Sequence, residues 1–315
     1  MPRVGLVVGN GFAIDFCQMH LGSLYLPNPS DPFHWEFKVP DEHGLSWQLA
    51  FPLLNNIIDS YDYEIFSFEL FRSMLAQIKS KRSTDSRWLD AEARQFLAFA
   101  YSVFQEQVDR FDIADWRWRN WLAKHSQSIA MAVSFNYDRV LETAAASTGF
   151  RLTPFAIGNR FGSCTLLKPH GSIDFECYPG IISVPKSTYP LSMCITLNDT
   201  PIIALDPKTL RQPRQEAFIV LPAETSPYLD FQWVAPGYQE WSRKAGNLTH
   251  CVLVGLSYWE CDRKEIDFLL NALPPTAVVV LANPHPHAEL VARIKAQGKQ
   301  VIVWADGPQE ISNVA

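Results

Sequence analysis

One unit recurs along this chain and limits what it can fold into. A short run of β-branched and other apolar residues stops at a small or polar residue, and a helical period follows. It occurs at Val4–Val8 before Gly9-Asn10-Gly11, at Ile129–Phe135 before Asn136-Tyr137-Asp138, and at Cys251–Leu256, which ends in Gly255-Leu256-Ser257. It occurs again at Ala277–Ala282 before Asn283-Pro284-His285. Cys164–Leu167 leads into Lys168-Pro169-His170-Gly171-Ser172, and Val301–Trp304 is a last run. Helical periods lie at about 138–147, 262–272 and 288–297. Strands alternating with helices predict an α/β, Rossmann-like, mostly parallel sheet with helices on both faces.

The first two strands are far apart in sequence. Between them Phe66, Leu70, Met74, Leu75 and Ile78 recur at helical spacing, as do Phe96, Phe99, Ala100, Val103 and Phe104, and then Trp118, Trp121 and Leu122. This predicts a helical insertion after the first strand, over 53–125. Residues 27–52, rich in proline, aspartate and aromatics, read as a long loop. Residues 178–240 hold many prolines and no clear period, which predicts an irregular segment covering one side of a site. The whole of 1–315 reads as one domain, with no internal repeat.

A net charge of −6 and no dense basic stripe argue against direct nucleic-acid binding. No apolar run is long enough for a membrane span, and the short N-terminal run does not make a signal peptide. The six cysteines form no Cys-x-x-Cys pair, and several sit in apolar surroundings. They read as reduced thiols of a cytoplasmic protein. Pro284-His285-Pro286-His287 has no second cluster to complete a metal site, so no metal is expected. Trp116-Arg117-Trp118-Arg119-Asn120-Trp121 reads as packing of the insertion or a subunit contact, with a membrane or nucleic-acid surface as the other option.

In open α/β sheets ligands bind outside the carboxyl ends of the strands. Those ends carry Gly9, Asn10, Gly11 and Phe12; Asn136 and Asp138; Gly255 and Ser257; and Asn283, with His170 in the turn after another strand. A glycine turn opening a helix offers N–H groups to phosphate. Several such turns on one edge make a nucleotide site. Each residue also has a plainer reading. The glycine turn is not the full dinucleotide fingerprint, because Ile14 stands where the third glycine belongs. Asn136 reads equally as a turn residue and His170 as a well-bonded turn histidine, while Asp138 and Ser257 read as helix caps.

Together these motifs resemble the sirtuin-like NADases of bacterial anti-phage defence. The most specific pieces are Asn136-Tyr137-Asp138-Arg139-Val140-Leu141-Glu142 and Lys168–Ser172. Val7-Val8-Gly9-Asn10-Gly11-Phe12 is also similar to the AbiH-type abortive-infection branch. The resemblance implies a sirtuin-type fold that binds NAD⁺ and cleaves its nicotinamide–ribose bond. It implies Gly9–Phe12 along the pyrophosphate and Asn136 on the nicotinamide ribose and the attacking water. His170 is implied as the base, with Gly255, Ser257 and Asn283 toward the phosphates and the adenosine ribose. Asp138 is left between a place near the ribose and helix capping. The resemblance further implies a homo-oligomer, or a complex with a separately encoded sensor, ATPase or Argonaute-type protein.

The chain departs from deacylases of this type. Phe135 stands where they carry glutamine, Ala13 stands at a serine position, and the two Cys-x-x-Cys pairs of their zinc module are absent. Deacylation or ADP-ribosyl transfer is therefore the less favoured activity. A non-catalytic module that binds NAD⁺ or ADP-ribose is the main alternative.

Overall fold

Val4–Val8 forms β1, the middle strand of a seven-stranded parallel sheet in a computed structural model. The structure describes residues 2–20, 28–39, 44–60, 70–71, 84–158, 163–177, 201–211, 217–221 and 231–311. The other sheet strands are β2 (Ile129–Ser134), β3 (Leu152–Pro154), β4 (Cys164–Leu167), β7 (His250–Val254), β8 (Val278–Ala282) and β9 (Gln300–Trp304). A separate antiparallel pair is β5 (Phe175–Cys177) with β6 (Ile202–Ala204). The sheet order is β3-β4-β2-β1-β7-β8-β9. Without the edge strand β3, the remaining six read 3-2-1-4-5-6 in chain order, the order of doubly wound dinucleotide-binding sheets. The chain leaves β1 toward β2 and β4 and later returns to β7 on the other side of β1. The switch point therefore lies between the carboxyl ends of β1 and β7.

Alternation along the strands divides the core in two. Val4, Leu6 and Val8 face one side with Ala132, Val252, Val254 and Val280. That face is covered by α1 (Asn10–Met19), α4 (Thr84–Val108), α5 (Arg117–His125) and α6 (Val140–Ala146), which contribute Phe12, Phe16, Phe104, Trp118 and Leu141. Val7, Met131, Val133, Cys251, Leu253 and Val279 face the other side. There α7 (Val234–Ala245), α8 (Glu260–Asn271) and α9 (Ala288–Ala296) contribute Trp241, Ile266, Leu269 and Ile294. Gly5 is glycine because α7 lies on it: a Cβ there would sit 2.7 Å from Trp241 and 2.8 Å from Leu248.

The helices between β1 and β2 do not stand apart from the sheet. They share its first core face, so the helical insertion expected after the first strand thickens one layer. Phe66, Met74, Leu75 and Ile78 of that expectation lie outside the described residues, while Phe96, Phe99 and Phe104 are buried on α4. The Trp116–Trp121 stretch packs inward: Trp116, Trp118 and Trp121 are buried, and Trp116 Nε1 donates to Asp15 Oδ1 at 2.8 Å.

Two expectations need correction. The 27–52 stretch is not an open loop. It carries a 3-10 turn at Pro32–His34 and the short helix α2 (Trp47–Ala50), followed by α3 (Pro52–Asp59). Phe33, Trp35, Phe37 and Trp47 from this stretch pack onto Phe96 and Phe104 of α4, so aromatic burial orders what proline content suggested was irregular. The 178–240 segment lies largely outside the described residues, and α7 begins inside it at Val234. Tyr238, Trp241 and Ala245 give α7 a buried stripe that begins within the Pro-rich stretch.

Candidate functional site

A cavity of about 670 Å³ opens along the carboxyl edge of the sheet. Its wall takes Phe135–Asp138 from the end of β2, Gly9–Gly11 from β1, Val254–Ser257 from β7, Ala282–Pro284 from β8 and Trp304–Gly307 from β9. His170, in the turn after β4, closes one end. From β2 to β9 the order runs β2-β1-β7-β8-β9. At about 4.8 Å between strands that spans roughly 19 Å, room for two nucleosides joined end to end. The insertion adds Tyr101 from α4 and Arg117 and Trp118 from α5.

All the strand-end residues expected at a site line this cavity except Phe12. Phe12 is the correction. Its ring is fully buried against Trp116 and Trp118, and its N–H donates to Gly9 O at 3.0 Å. Helical phase turns it toward the core, one residue past the turn. The glycines also have a packing reason. A Cβ on Gly11 would lie 2.5 Å from Gly255 Cα, and one on Gly255 would lie 2.4 Å from Gly11 Cα. Gly255 also has φ +58°, and Gly11 N–H donates to Gly255 O at 3.0 Å. The β1 and β7 turns thus touch backbone to backbone, which only glycine allows.

Asn136, after β2, lies beside the switch point. Its Nδ2 donates to Gly9 O at 3.1 Å, which leaves the second N–H and the carbonyl oxygen for a ligand. Asn283 is tied into its turn: Nδ2 donates to Leu256 O at 3.4 Å, and Oδ1 accepts from His285 N at 2.9 Å. Asn10 Nδ2 donates to Ser30 Oγ at 2.7 Å. Ser257 is exposed on the cavity wall.

Asp138 does two things at once. Oδ1 accepts from Val140 N at 3.0 Å, a turn that leads into α6 from one residue ahead of its N-cap, Arg139. Oδ2 is buried with no hydrogen-bond partner. Burial pushes this carboxyl up to about 6, against the pull of Lys168 and the Val140 N–H. Lys168 stands behind it, fully buried, with Nζ donating to Asp138 O at 2.6 Å and to Glu142 Oε1 at 2.9 Å.

His170 is held by the turn that follows it. Gly171 has φ +80°, and a Cβ there would lie 1.8 Å from Phe218 O. Val220 N donates to His170 O at 2.9 Å, and Ser172 N to Phe218 O at 3.2 Å, so residues 217–221 clamp the turn. Nε2 of His170 donates to Glu265 Oε2 at 2.8 Å, and Asp262 Oδ1 lies 3.9 Å away. The Phe135 ring stands against the imidazole, with centroids 5.1 Å apart. Burial disfavours the charged ring. Glu265 outweighs it, with help from Asp262 and the Phe135 backbone, and the ring is pushed up to about 9. A base poised near neutrality was expected at this position; the ion pair with Glu265 favours the protonated ring.

The sequence reading missed Glu265, Tyr238 and Asp262 at this end, and Arg117 and Trp304–Gly307 at the other. Glu265 had a signal: with Cys261, Ile266, Leu269 and Leu270 it falls on the buried stripe of α8, where an acid requires a partner. Ala305-Asp306-Gly307 repeats the small-polar signature of the other strand ends. Donor atoms of His170, Asp262 and Glu265 lie within 4.8 Å of one another, close enough to share a cation. The 2.8 Å hydrogen bond instead joins the facing atoms of His170 and Glu265. Among the described residues, His285 and His287 take part in no such cluster.

Charge differs along the cavity. Asp138 and Asp262 line the β2 end, where His170 is the cation of the wall and is already paired. At the β9 end Arg117 bridges the Asp15 carboxylate and Asp306 O. The β2 end therefore disfavours a phosphate and suits a neutral or cationic group.

No protein-family model matches this chain, and no curated protein matches it. Among solved structures it is similar to a mutant Sir2 homologue in complex with ADP-ribose, with 12% identity and a TM-score of 0.40 over 94% of this chain and 89% of that one. It is also similar to a Sir2 structure with a p53 peptide and NAD⁺, with 12% identity and a TM-score of 0.35 over 96% and 88% of the chains. The α/β fold rests on the strand order, which these distant likenesses do not alter. No helix among the described residues is long and apolar enough to cross a membrane.

Proposed function

We propose that this protein binds NAD⁺ along the strand ends and hydrolyses its nicotinamide–ribose bond, giving nicotinamide and ADP-ribose. The observation that carries the reading is Asp138, a buried carboxylate with an unpartnered oxygen in the wall of a dinucleotide-length cleft at the switch point. The motif resemblance names the nucleotide. The anionic β2 end supports an orientation with the nicotinamide ribose beside Asn136 and Asp138 and the adenosine toward β8 and β9.

In the reaction the C–N bond breaks with its electron pair leaving on nicotinamide. The ribose carbon is left as an oxocarbenium ion, and water adds to it and loses a proton. Asp138, ionised above about pH 6, favours that cation and takes the proton of the water. Asn136 fixes the water through its free amide groups. His170, ion-paired to Glu265, contributes a charged ring rather than a base. The place of this activity in anti-phage defence, and assembly with further copies or a sensing partner, rest on the motif resemblance.

The test is incubation with NAD⁺ and chromatography for nicotinamide and ADP-ribose, beside the Asp138→Asn variant. Release of both products by the parent alone supports hydrolysis. One observation favours the alternative, a binding module that signals without turnover: a ring nitrogen of His170 is already committed to Glu265. NAD⁺ binding without products would select that alternative, and no binding would end both readings.

A further inference from the structure

Glu265 is a charged residue that the reaction above does not use, and its burial needs a reason. It lies on α8 with its side chain 1% exposed. Both oxygens are engaged: Oε2 accepts from His170 Nε2 at 2.8 Å and Oε1 accepts from the Tyr238 hydroxyl at 2.6 Å. Tyr238 is itself buried on α7, so two helices on the second face of the sheet meet the β4 turn at this carboxylate. A buried acid held from two sides is a fixed charge, and removing one member of such a set leaves the other uncompensated.

We propose that Glu265 is a positioning residue whose ion pair keeps His170 as an imidazolium, so that the cavity meets its ligand there with a fixed, paired cation and not with a base. The ligand group this suits is a neutral one, because the carboxylates of Glu265 and Asp262 face the same ring and offset its charge. The titratable groups around it are Glu265 and Asp262 on α8, Cys261, whose Sγ donates to Asp262 Oδ1 at 3.2 Å, and Tyr238 on α7. Tyr137 and Asp138 share the cavity wall. The upward shift of His170 agrees with this geometry. The chemical use of the charged ring rests on the NAD⁺ reading; the charge state does not.

The test is therefore independent of turnover. The His170 ring signal is assigned with a His170→Gln control and followed by NMR against pH in the full-length protein. The parent ring is expected to hold its proton past pH 8, and Glu265→Gln is expected to move its midpoint down by at least a factor of ten in proton affinity. Tyr238→Phe should leave the ring charged at pH 7. A parent midpoint at or below the ordinary histidine range of about 6.5 overturns the proposal even if every variant misfolds, and so does a folded Glu265→Gln with an unmoved midpoint. If the titration comes out as expected and no NAD⁺ is cleaved, the charge lock stands and only the reaction is wrong. Where turnover is present, Glu265→Gln should shift the alkaline limb of kcat to lower pH, which a purely structural role would not do.

Discussion

Asp138→Asn separates catalysis from stability in opposite directions. Asparagine keeps an oxygen for the Val140 N–H, so the turn that leads into α6 is retained. What disappears is the charge on the unpartnered Oδ2. Burial lifts the folded carboxyl from 3.8 to about 6, so ionised Asp138 costs about 3 kcal/mol of folding stability at pH 8. The sign follows from the raised value. The cost is absent below about pH 4, grows between about pH 4 and 6, and is complete above that. The buried amide N–H groups of asparagine lack a partner too and offset about 1–3 kcal/mol of the gain. At pH 8 the variant should therefore be at least as stable as the parent by thermal or denaturant unfolding. Its NAD⁺ turnover should drop by roughly 10²–10⁴-fold, the contribution of a general base. The parent's kcat should show an acidic limb near pH 6, and the variant should lose it. Turnover near the parental rate in Asp138→Asn would refute the assignment. A parental rate that climbs only toward pH 9 would return the base to His170.

Three further perturbations test the supporting structure. Lys168→Met removes the cation behind Asp138 and leaves Glu142 buried without it, so stability should fall by about 3–5 kcal/mol and the acidic limb should move above pH 6; denaturant unfolding and a pH–rate profile check both. Gly171→Ala forces a Cβ into Phe218 O at positive φ, and the loss should exceed about 2 kcal/mol, visible as a lowered Tm together with lost NAD⁺ binding. His170→Ala removes the charged ring and strands Glu265, so turnover should fall by about 10²–10³-fold with a stability loss that calorimetry detects; full activity in this variant would remove His170 from the site.

The legible part of this molecule is the part set by local pattern. Short β-branched runs marked the buried parallel strands within a residue or two, and small or polar residues marked where each strand stops. Since ligands gather at those stops, Asn136, Asp138, Gly9 and His170 could be placed at one edge without knowing the strand order. What stayed hidden depends on contacts between elements distant in sequence. Glu265 meets His170 across 95 positions, and Tyr238 reaches Glu265 from another helix. The charge of His170 is a property of that meeting, so no inspection of Lys168–Ser172 could give it. β3 was missed because Leu152–Pro154 is three residues long and ends in proline, and it survives only as the edge of the sheet.

The insertion extends this division of labour. The sheet and its turns supply Asn136, Asp138 and His170 at one end of the cleft, while Tyr101, Arg117 and Trp118 from the inserted helices wall the cleft along its length. Arg117 is placed by the packing of α5: Trp116 and Trp118 are buried on either side of it, and its guanidinium is thrown across from Asp15 on α1 to Asp306 after β9. A residue fixed by two buried tryptophans and two partners cannot drift to suit whichever ligand arrives. On the proposed reading, the sheet carries the chemistry at the β2 end and the insertion the fit at the β9 end. Substitutions at Arg117 should change KM for NAD⁺ more than kcat. Equal losses in both would mean that the two ends of the cleft are not separable.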